Sequence, residues 1–159
     1  MATFRTIAFA GLAPAALVAA LALTGCQTGG MGKSGGASGS GYAYLTQIRS
    51  SAELPVMAPD AKLEKAALRQ AGYMASAGKM DHNTGWGRDF ASRMKTDGVA
   101  APAAENLAHG HMELSRVFEM WTNSSGHRRN MLEPRFNRYG LAYAATEDGR
   151  RYWALVLGK

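Results

Sequence analysis

Apolar residues recur at helical spacing in four stretches of the chain. The clearest stretch carries Leu114, Val117, Phe118 and Trp121 at positions i, i+3, i+4 and i+7, which predicts an amphipathic helix. Because Trp121 closes this apolar stripe, its side chain is predicted to pack in the core. Three further helices are predicted, over residues 42–51, over about 18 residues after Asp60, and over residues 88–95.

After residue 134 the helical spacing gives way to alternation. Two β-rich runs separated by the turn signal Asp148-Gly149 predict an antiparallel hairpin. The runs are Tyr139, Leu141 and Tyr143 with the small residues between them, and residues 152–157. One more strand is predicted near residues 104–108. Helices therefore come first and strands late, an order that favours an α+β or three-layer domain over a doubly wound sheet.

The amino terminus has the layout of a secretory signal sequence. Arg5 precedes an almost wholly apolar run over residues 7–23, which ends in Leu23-Thr24-Gly25-Cys26. The run is marginal for crossing a hydrocarbon core of about 30 Å, so a permanent transmembrane anchor is the weaker interpretation. The closing string resembles the bacterial lipobox, which predicts removal of residues 1–25 and a lipid on Cys26. An ordinary signal peptide that ends in an incidental cysteine is the alternative.

Residues 27–41 are rich in glycine and serine and poor in apolar side chains. This composition predicts a flexible coil, so residues 26–41 are expected to tether a domain over residues 42–159. Roughly 118 residues are enough for one core but not for two. By analogy with Gram-negative sorting, Gln27 directly after the cysteine favours the outer membrane. The domain is thus expected to be extracytoplasmic and held to a membrane by the lipid.

The net charge limits the classes of partner that the protein can bind, and the cysteine content limits how the fold is stabilised. The formal net charge is +6, but the basic residues are scattered, and Arg128-Arg129 is their one local cluster. Because a nucleic-acid partner requires a concentrated basic stripe with interleaved aromatics, none is expected. A general attraction to anionic headgroups or cell-wall polymers stays open. The chain has one cysteine, so the fold must rest on packing without an internal disulfide.

The candidate chemistry lies in breaks between the predicted helices. The four histidines, all beside glycine, asparagine or serine, are His82, His109, His111 and His127. Three local strings contain His82, His109 and His127, and His111 directly follows the second. The strings are Met80-Asp81-His82-Asn83, Ala104-Glu105-Asn106-Leu107-Ala108-His109-Gly110, and Trp121-Thr122-Asn123-Ser124-Ser125-Gly126-His127-Arg128-Arg129-Asn130-Met131-Leu132. Side chains at such breaks can project into a shared groove. Asn106 and Asn130 are predicted to pin loops. Arg128-Arg129 is predicted to be a solvated edge, with a carboxylate contact of Arg128 as the alternative.

In type and order, these strings resemble the bacterial branch of the CAP superfamily, named for cysteine-rich secretory proteins, antigen 5 and pathogenesis-related 1 proteins. The resemblance runs from about Leu45 to Leu157. It implies a three-layer α-β-α sandwich that carries the predicted hairpin at its C-terminus. It further implies a cleft that gathers His82, Glu105 and His127, in some family members around a zinc ion.

A second acidic residue of the eukaryotic cleft corresponds to Ser124 here. The resemblance therefore implies three protein ligands for Zn²⁺ and does not assure a fourth, for which His109, His111 or water are the candidates. A catalytic triad of Ser124, His127 and Glu105 is disfavoured, because no glycine-flanked elbow accompanies the serine.

Two classes of function follow. In the first, the domain is a binding module whose cleft holds a small lipid, glycan, peptide or metal ion. In the second, it is a metal-assisted hydrolase in which His82 and His127 position zinc or water and Glu105 is the general base. A hydrogen-bonded scaffold, in which the carboxylate only orients an imidazole and no metal is present, is the competing interpretation of the cluster. Binding is the favoured function.

Overall fold

The computed structural model describes Met1 and residues 31–159. The predicted signal sequence and the predicted lipidation site Cys26 lie outside these residues. Within the described residues, no helix is long and apolar enough to cross a membrane.

Residues 31–159 form five strands and five helices. The strands are β1 (Met31–Gly36), β2 (Ala58–Pro59), β3 (Ala104–Gly110), β4 (Arg138–Thr146) and β5 (Arg151–Gly158). The helices are α1 (Ser38–Ser50), α2 (Ala61–Ala77), α3 (Phe90–Thr96), α4 (Leu114–Asn123) and α5 (Ser125–Met131). Along the chain they follow the order β1-α1-β2-α2-α3-β3-α4-α5-β4-β5.

The strands form one sheet in the order β1-β4-β5-β3, and the short β2 pairs in parallel with β4. The other neighbours are antiparallel. In the β4–β5 hairpin, Arg138 lies opposite Gly158 and Ala145 opposite Arg151, which confirms the predicted hairpin. The predicted strand near residues 104–108 is β3, and it forms an edge of the sheet.

The sheet buries apolar side chains on both faces. One core packs α1, α4 and α5 against residues of β4 and β5 that include Tyr139, Leu141, Trp153 and Leu155. The other packs α2 and α3 against Ala142, Ala144, Tyr152, Ala154 and Val156. Consecutive strand residues point to opposite faces, so this alternation places a helical layer on each side. The predicted α+β fold, a three-layer α-β-α sandwich, is confirmed.

α2 lies very close to β4. A Cβ atom added at Gly140 would come within 1.9 Å of the backbone nitrogen of Glu64, so glycine is needed for this approach. Asp60 caps the helix as predicted, because its Oδ1 accepts a hydrogen bond from the Leu63 backbone nitrogen at 2.9 Å. In α4, Trp121 is fully buried, and its indole nitrogen donates to the Leu107 carbonyl oxygen at 3.0 Å.

The coil prediction is wrong for residues 31–41. β1 pairs with the edge of β4, and α1 begins at Ser38. The hydroxyl of Ser38 accepts a hydrogen bond from the Leu141 backbone nitrogen at 2.9 Å, and its own backbone nitrogen donates to Glu64 Oε2 at 3.0 Å. Backbone pairing and these polar contacts order a segment that has almost no apolar surface. The packed unit therefore includes residues 31–41, which precede the predicted start of the domain at residue 42.

Arg49, near the end of α1, organises the loops on its face of the sheet. Its guanidinium group is 1% exposed. It donates to the carbonyl oxygens of Pro55, Met131, Glu133 and Phe136 at 2.7 to 3.2 Å. These contacts tie the connection after α1 to the connection after α5.

Candidate functional site

The site is centred on Glu105, the second residue of the edge strand β3. Its side chain points to the face covered by α2 and α3 and is 1% exposed. A buried carboxylate is costly unless cations or hydrogen-bond donors compensate it. The surroundings of Glu105 supply two such groups, Arg93 and His82.

Arg93 of α3 binds both oxygens of this carboxylate. Its Nη1 lies 2.8 Å from Glu105 Oε2, and its Nη2 lies 2.8 Å from Oε1. The guanidinium is itself 2% exposed, so the two charges form a buried, bidentate pair.

The same guanidinium holds the loop that connects α2 to α3. Arg93 Nη2 donates to the His82 carbonyl oxygen at 3.2 Å, and Nε donates to the Arg88 carbonyl oxygen at 3.1 Å. One buried side chain thus fixes both ends of loop 82–88 and the carboxylate beside it.

His82 contacts the buried Arg93–Glu105 pair from the solvent side. Its Nδ1 lies 2.8 Å from Glu105 Oε1, and its side chain is 56% exposed. The hydrogen bond with Glu105 raises the pKa of His82, and burial opposes that shift. The contact with Glu105 fixes the orientation of the ring and leaves Nε2 for other partners.

His127 reaches the edge of β3 from the other face. Asn106 follows Glu105 and points to the side of α5, where its Nδ2 donates to the His127 carbonyl oxygen at 3.0 Å. Asn130 Nδ2 donates in turn to Asn106 Oδ1 at 2.9 Å. These contacts place α5 against β3, which agrees with the pinning role predicted for both asparagines.

The pKa of His127 moves in the opposite direction from that of His82. Burial lowers it, and the charge of His82 lowers it further. The two imidazoles are therefore close enough to interact electrostatically, one favouring the cation and the other the neutral ring. We refer to His82, Arg93, Glu105 and His127 together as the β3-edge site.

Two of the candidate ligands lie elsewhere. His109 stacks on Tyr152, with ring centroids 5.6 Å apart, and it is four residues from Glu105, about 13 Å along a strand. His111 lies at the turn of the β4–β5 hairpin, where its Nε2 is 3.9 Å from Asp148 Oδ2. Neither is brought to Glu105.

The disfavoured triad of Ser124, His127 and Glu105 is not assembled, because Glu105 bonds to His82. Arg128 and Arg129 are both exposed, which confirms the predicted solvated edge. The cation that binds the carboxylate of Glu105 is Arg93.

The donor set does not fit zinc as the resemblance implied it. Among residues 31–159, no group of three or more His, Cys, Asp and Glu side chains is arranged to hold a metal ion. Arg93 already engages both oxygens of Glu105, so this carboxylate is suited to orient His82 and not to ligate a metal directly. The imidazoles of His82 and His127 are the remaining candidate donors.

Arg93 is the site residue that the sequence analysis missed. The sequence did carry a signal for it. Arg93 lies three residues after Phe90 and next to Met94, so it falls on the apolar face of the predicted third helix. An arginine on such a face requires a buried partner.

Comparison with known proteins agrees with this architecture. The sequence pattern of the Cysteine-rich secretory protein family, CAP, matches residues 42–157. The chain therefore belongs to the CAP family.

A similar protein of Bacillus subtilis (strain 168), YkwD, is 33% identical over 102 residues, which are 63% of this chain and 38% of YkwD. The chain thus matches well under half the length of that relative.

Three solved structures share the fold. An outer surface protein from Borrelia burgdorferi superposes with a TM-score of 0.68 at 24% identity, over 74% of this chain and 88% of its own. An extracellular SCP-domain protein from Bacillus anthracis gives 0.60 at 25% identity, over 74% and 41%. A cysteine-rich secretory protein from Staphylococcus aureus gives 0.59 at 17% identity, over 74% and 36%.

Proposed function

We propose that this CAP protein is an exported lipoprotein that recognises a small ligand at the cell envelope. The string Leu23-Thr24-Gly25-Cys26 and the apolar run before it support export and a lipid on Cys26. Two proteins with the same fold are named an outer surface protein and an extracellular protein, which supports an extracytoplasmic location. Gln27 favours the outer membrane of a Gram-negative-type cell.

Ligand binding takes place at the β3-edge site. His82 presents Nε2 in an orientation that Glu105 fixes, and its raised pKa favours the charged, donating form. The lowered pKa of His127 favours a neutral ring. This pair suits a ligand that carries a carbonyl, carboxylate or hydroxyl oxygen. Because Arg93 and Glu105 are already paired in the buried layer, the site is preorganised before any ligand arrives.

One observation favours binding over hydrolysis: Arg93 engages both oxygens of Glu105. A general base must be free to accept a proton from water or substrate. Arg93 donates to both oxygens of Glu105, and Oε1 also lies 2.8 Å from His82 Nδ1, so the carboxylate is already engaged by two side chains. Glu105 is therefore suited to hold His82 in place and not to activate water.

The anchor is tested by cell fractionation and palmitate labelling of Cys26→Ser. The wild-type protein is expected in the outer-membrane fraction with label, and the variant in the soluble fraction without it. Gln27→Asp is a matched control for sorting, since it should keep the label but move the protein to the inner membrane. A labelled, membrane-bound Cys26→Ser protein would contradict the anchor.

The recognition role is tested with residues 26–159 carrying Cys26→Ser, sedimented with purified cell-wall sacculi or with anionic lipid vesicles. Binding to one of these without release of soluble products is expected, and His82→Ala and His127→Ala should each weaken it about tenfold. His111→Ala, at the hairpin turn, is the matched control and should bind normally. Release of soluble fragments that stops in Glu105→Gln would support the hydrolase instead.

The metal alternative has its own test in a zinc titration by calorimetry at pH 7.5. Zinc-dependent heat that is lost in both His82→Ala and His127→Ala would favour a metal site. Absence of that heat in the wild-type protein would leave the hydrogen-bonded arrangement as the basis of recognition.

A further inference from the structure

Trp86 is the most exposed large apolar side chain among residues 31–159. It is 102% exposed, whereas Trp121 and Trp153 are 0% and 3% exposed. A tryptophan left entirely in water, with its hydrophobic surface uncovered, indicates a contact with another molecule.

The loop that carries Trp86 is held rigidly. Arg93 binds the carbonyl oxygens at both of its ends, and the Arg88 guanidinium lies 4.3 Å above the ring of Tyr73. Gly85 and Gly87 flank the tryptophan with φ angles of +147° and +65°, a backbone shape that side chains rarely adopt. The backbone that carries Trp86 is thus held in place, so little backbone entropy is lost when the tryptophan binds.

A surface depression lies beside this tryptophan. It is lined by Asn83, Gly85, Trp86, Gly87, Asp89 and Ser92. Asn83 Oδ1 accepts a hydrogen bond from the Gly85 backbone nitrogen at 3.1 Å, which orients the amide so that its NH₂ group can donate to a ligand. Asp89 Oδ1 accepts from the Ser92 backbone nitrogen at 3.0 Å, and its carboxylate has further acceptor positions.

We propose that Trp86 and this depression bind one pyranose ring of a carbohydrate chain. A sugar ring offers a C–H face for the indole and hydroxyl groups at its rim for the Asn83 amide and the Asp89 carboxylate. The inference rests on the proposed recognition role and adds a sugar subsite in the same loop as His82.

The lining favours a sugar over a bilayer surface. Apart from Trp86, every residue of the depression is polar or glycine. Docking into a membrane interface requires a broad apolar face with basic residues beside it. A single aromatic ring surrounded by an amide, a carboxylate and a hydroxyl matches a discrete polar molecule better.

The test uses residues 26–159 with Cys26→Ser and the soluble probe chitotetraose. Because the other two tryptophans are buried, iodide quenching of the fluorescence reports mainly on Trp86. Chitotetraose is expected to reduce this quenching and to shift the emission to shorter wavelengths. By calorimetry, Trp86→Ala should weaken binding at least tenfold, and Trp86→Phe should weaken it less.

Asn83→Asp is the sharper variant, because it keeps the oxygen that accepts from Gly85 but loses the NH₂ donor. It should weaken chitotetraose binding several-fold at an unchanged melting temperature. Met80→Ala, another exposed apolar residue of the same connection, is the matched control and should bind as the wild type does.

Three results would overturn the sugar subsite: no chitotetraose binding up to 10 mM (about the weakest affinity worth measuring), equal affinity in Trp86→Ala, or Trp86-dependent binding to lipid vesicles without sugar binding. Failure of the recognition role is seen separately, as sacculus or vesicle binding that His82→Ala and His127→Ala leave unchanged. Different variants and different probes therefore test the two proposals, so that one can fail without the other.

Discussion

Arg49 and Arg93 are both almost completely buried, but they have different partners. Arg49 donates only to backbone carbonyl oxygens and joins two connections on the α1 side of the sheet. Arg93 also donates to carbonyl oxygens of a loop, but its guanidinium forms two further hydrogen bonds with the carboxylate of Glu105. That carboxylate bonds to the exposed His82, so Arg93 is connected to the surface through hydrogen-bonded side chains. Arg49 interacts with the Glu133 carboxylate through charge and hydrogen-bonds to the Glu133 carbonyl oxygen.

The difference separates a structural arginine from one that shapes a site. Carbonyl oxygens that lose a donor are neutral and lie in connections that can shift toward water. A buried carboxylate that loses its cation keeps an uncompensated charge, which is the more costly defect. Removing each arginine in turn tests this difference. At Arg93, removing the charge of Glu105 as well provides a second test.

The largest effect is expected for Arg93→Met. It leaves Glu105 buried without its cation, so the free energy of unfolding should fall by about 3–5 kcal/mol. Urea denaturation of Arg93→Met measures this loss, with the exposed Arg129→Met as the control. In the Arg93→Met background, Glu105→Gln should recover part of the lost stability, because it removes the orphaned charge. Additive losses in the double variant would contradict a buried ion pair.

Arg49→Met should have a smaller effect, about 1–3 kcal/mol, because the orphaned carbonyl oxygens carry no net charge. Urea denaturation under the same conditions gives the comparison directly. The imidazole pKa values of His82 and His127 should not change in this variant. A loss larger than that of Arg93→Met would mean that shape, and not charge, dominates at both buried arginines.

A polar contact outside both arginines tests the ordering of the amino-terminal segment. Ser38→Ala removes the oxygen that accepts from the Leu141 backbone nitrogen, at a buried position. The free energy of unfolding should fall by about 1–2 kcal/mol. Ser40→Ala is the control, because Ser40 is an exposed serine two residues further along α1. If both substitutions were neutral, the Ser38 hydroxyl would add nothing to stability, and the order of this segment would rest on the pairing of β1 with β4.

The smallest expected effect is on the pH dependence of stability. The raised pKa of His82 stabilises the folded state below the unfolded histidine value of about 6.5, and this contribution is lost as pH rises through the folded value. The lowered pKa of His127 has the opposite sign, since its penalty grows as pH falls below about 6.5. Glu105 is the main cause for His82, and burial for His127.

Thermal unfolding at pH 5.5 and pH 8 measures both signs. His82→Gln should lower the melting temperature more at pH 5.5 than at pH 8. Compared with the wild type, His127→Gln should have a more favourable effect on the melting temperature at pH 5.5 than at pH 8. Equal changes at both pH values for either variant would mean that the side chain does not titrate differently on folding.

Much of the fold could be predicted because its elements have apolar patterns. The stripe of α4, the alternation of β4 and β5 and the Asp60 cap of α2 are all local signals. β1 could not be predicted in this way. It is a short run of glycine, serine and lysine whose order comes from pairing with β4, more than a hundred residues away in sequence.

The site was predictable in part for the same reason. His82, Glu105 and His127 were expected to share a cleft because the local strings that contain them resemble the CAP family. The structure shows a direct contact between His82 and Glu105. Their division of roles was not predictable, because it depends on Arg93. That residue acts through a contact twelve positions along the chain and on another element, where no local string can reveal the pairing.

The most direct test is an NMR titration of the imidazole C–H signals of His82 and His127 in the folded protein. If Arg93 and Glu105 hold His82 as described, His82 titrates above the ordinary histidine pKa of about 6.5 and His127 titrates below it. Titration of the two rings at one shared pH, or of His127 above His82, would contradict the account.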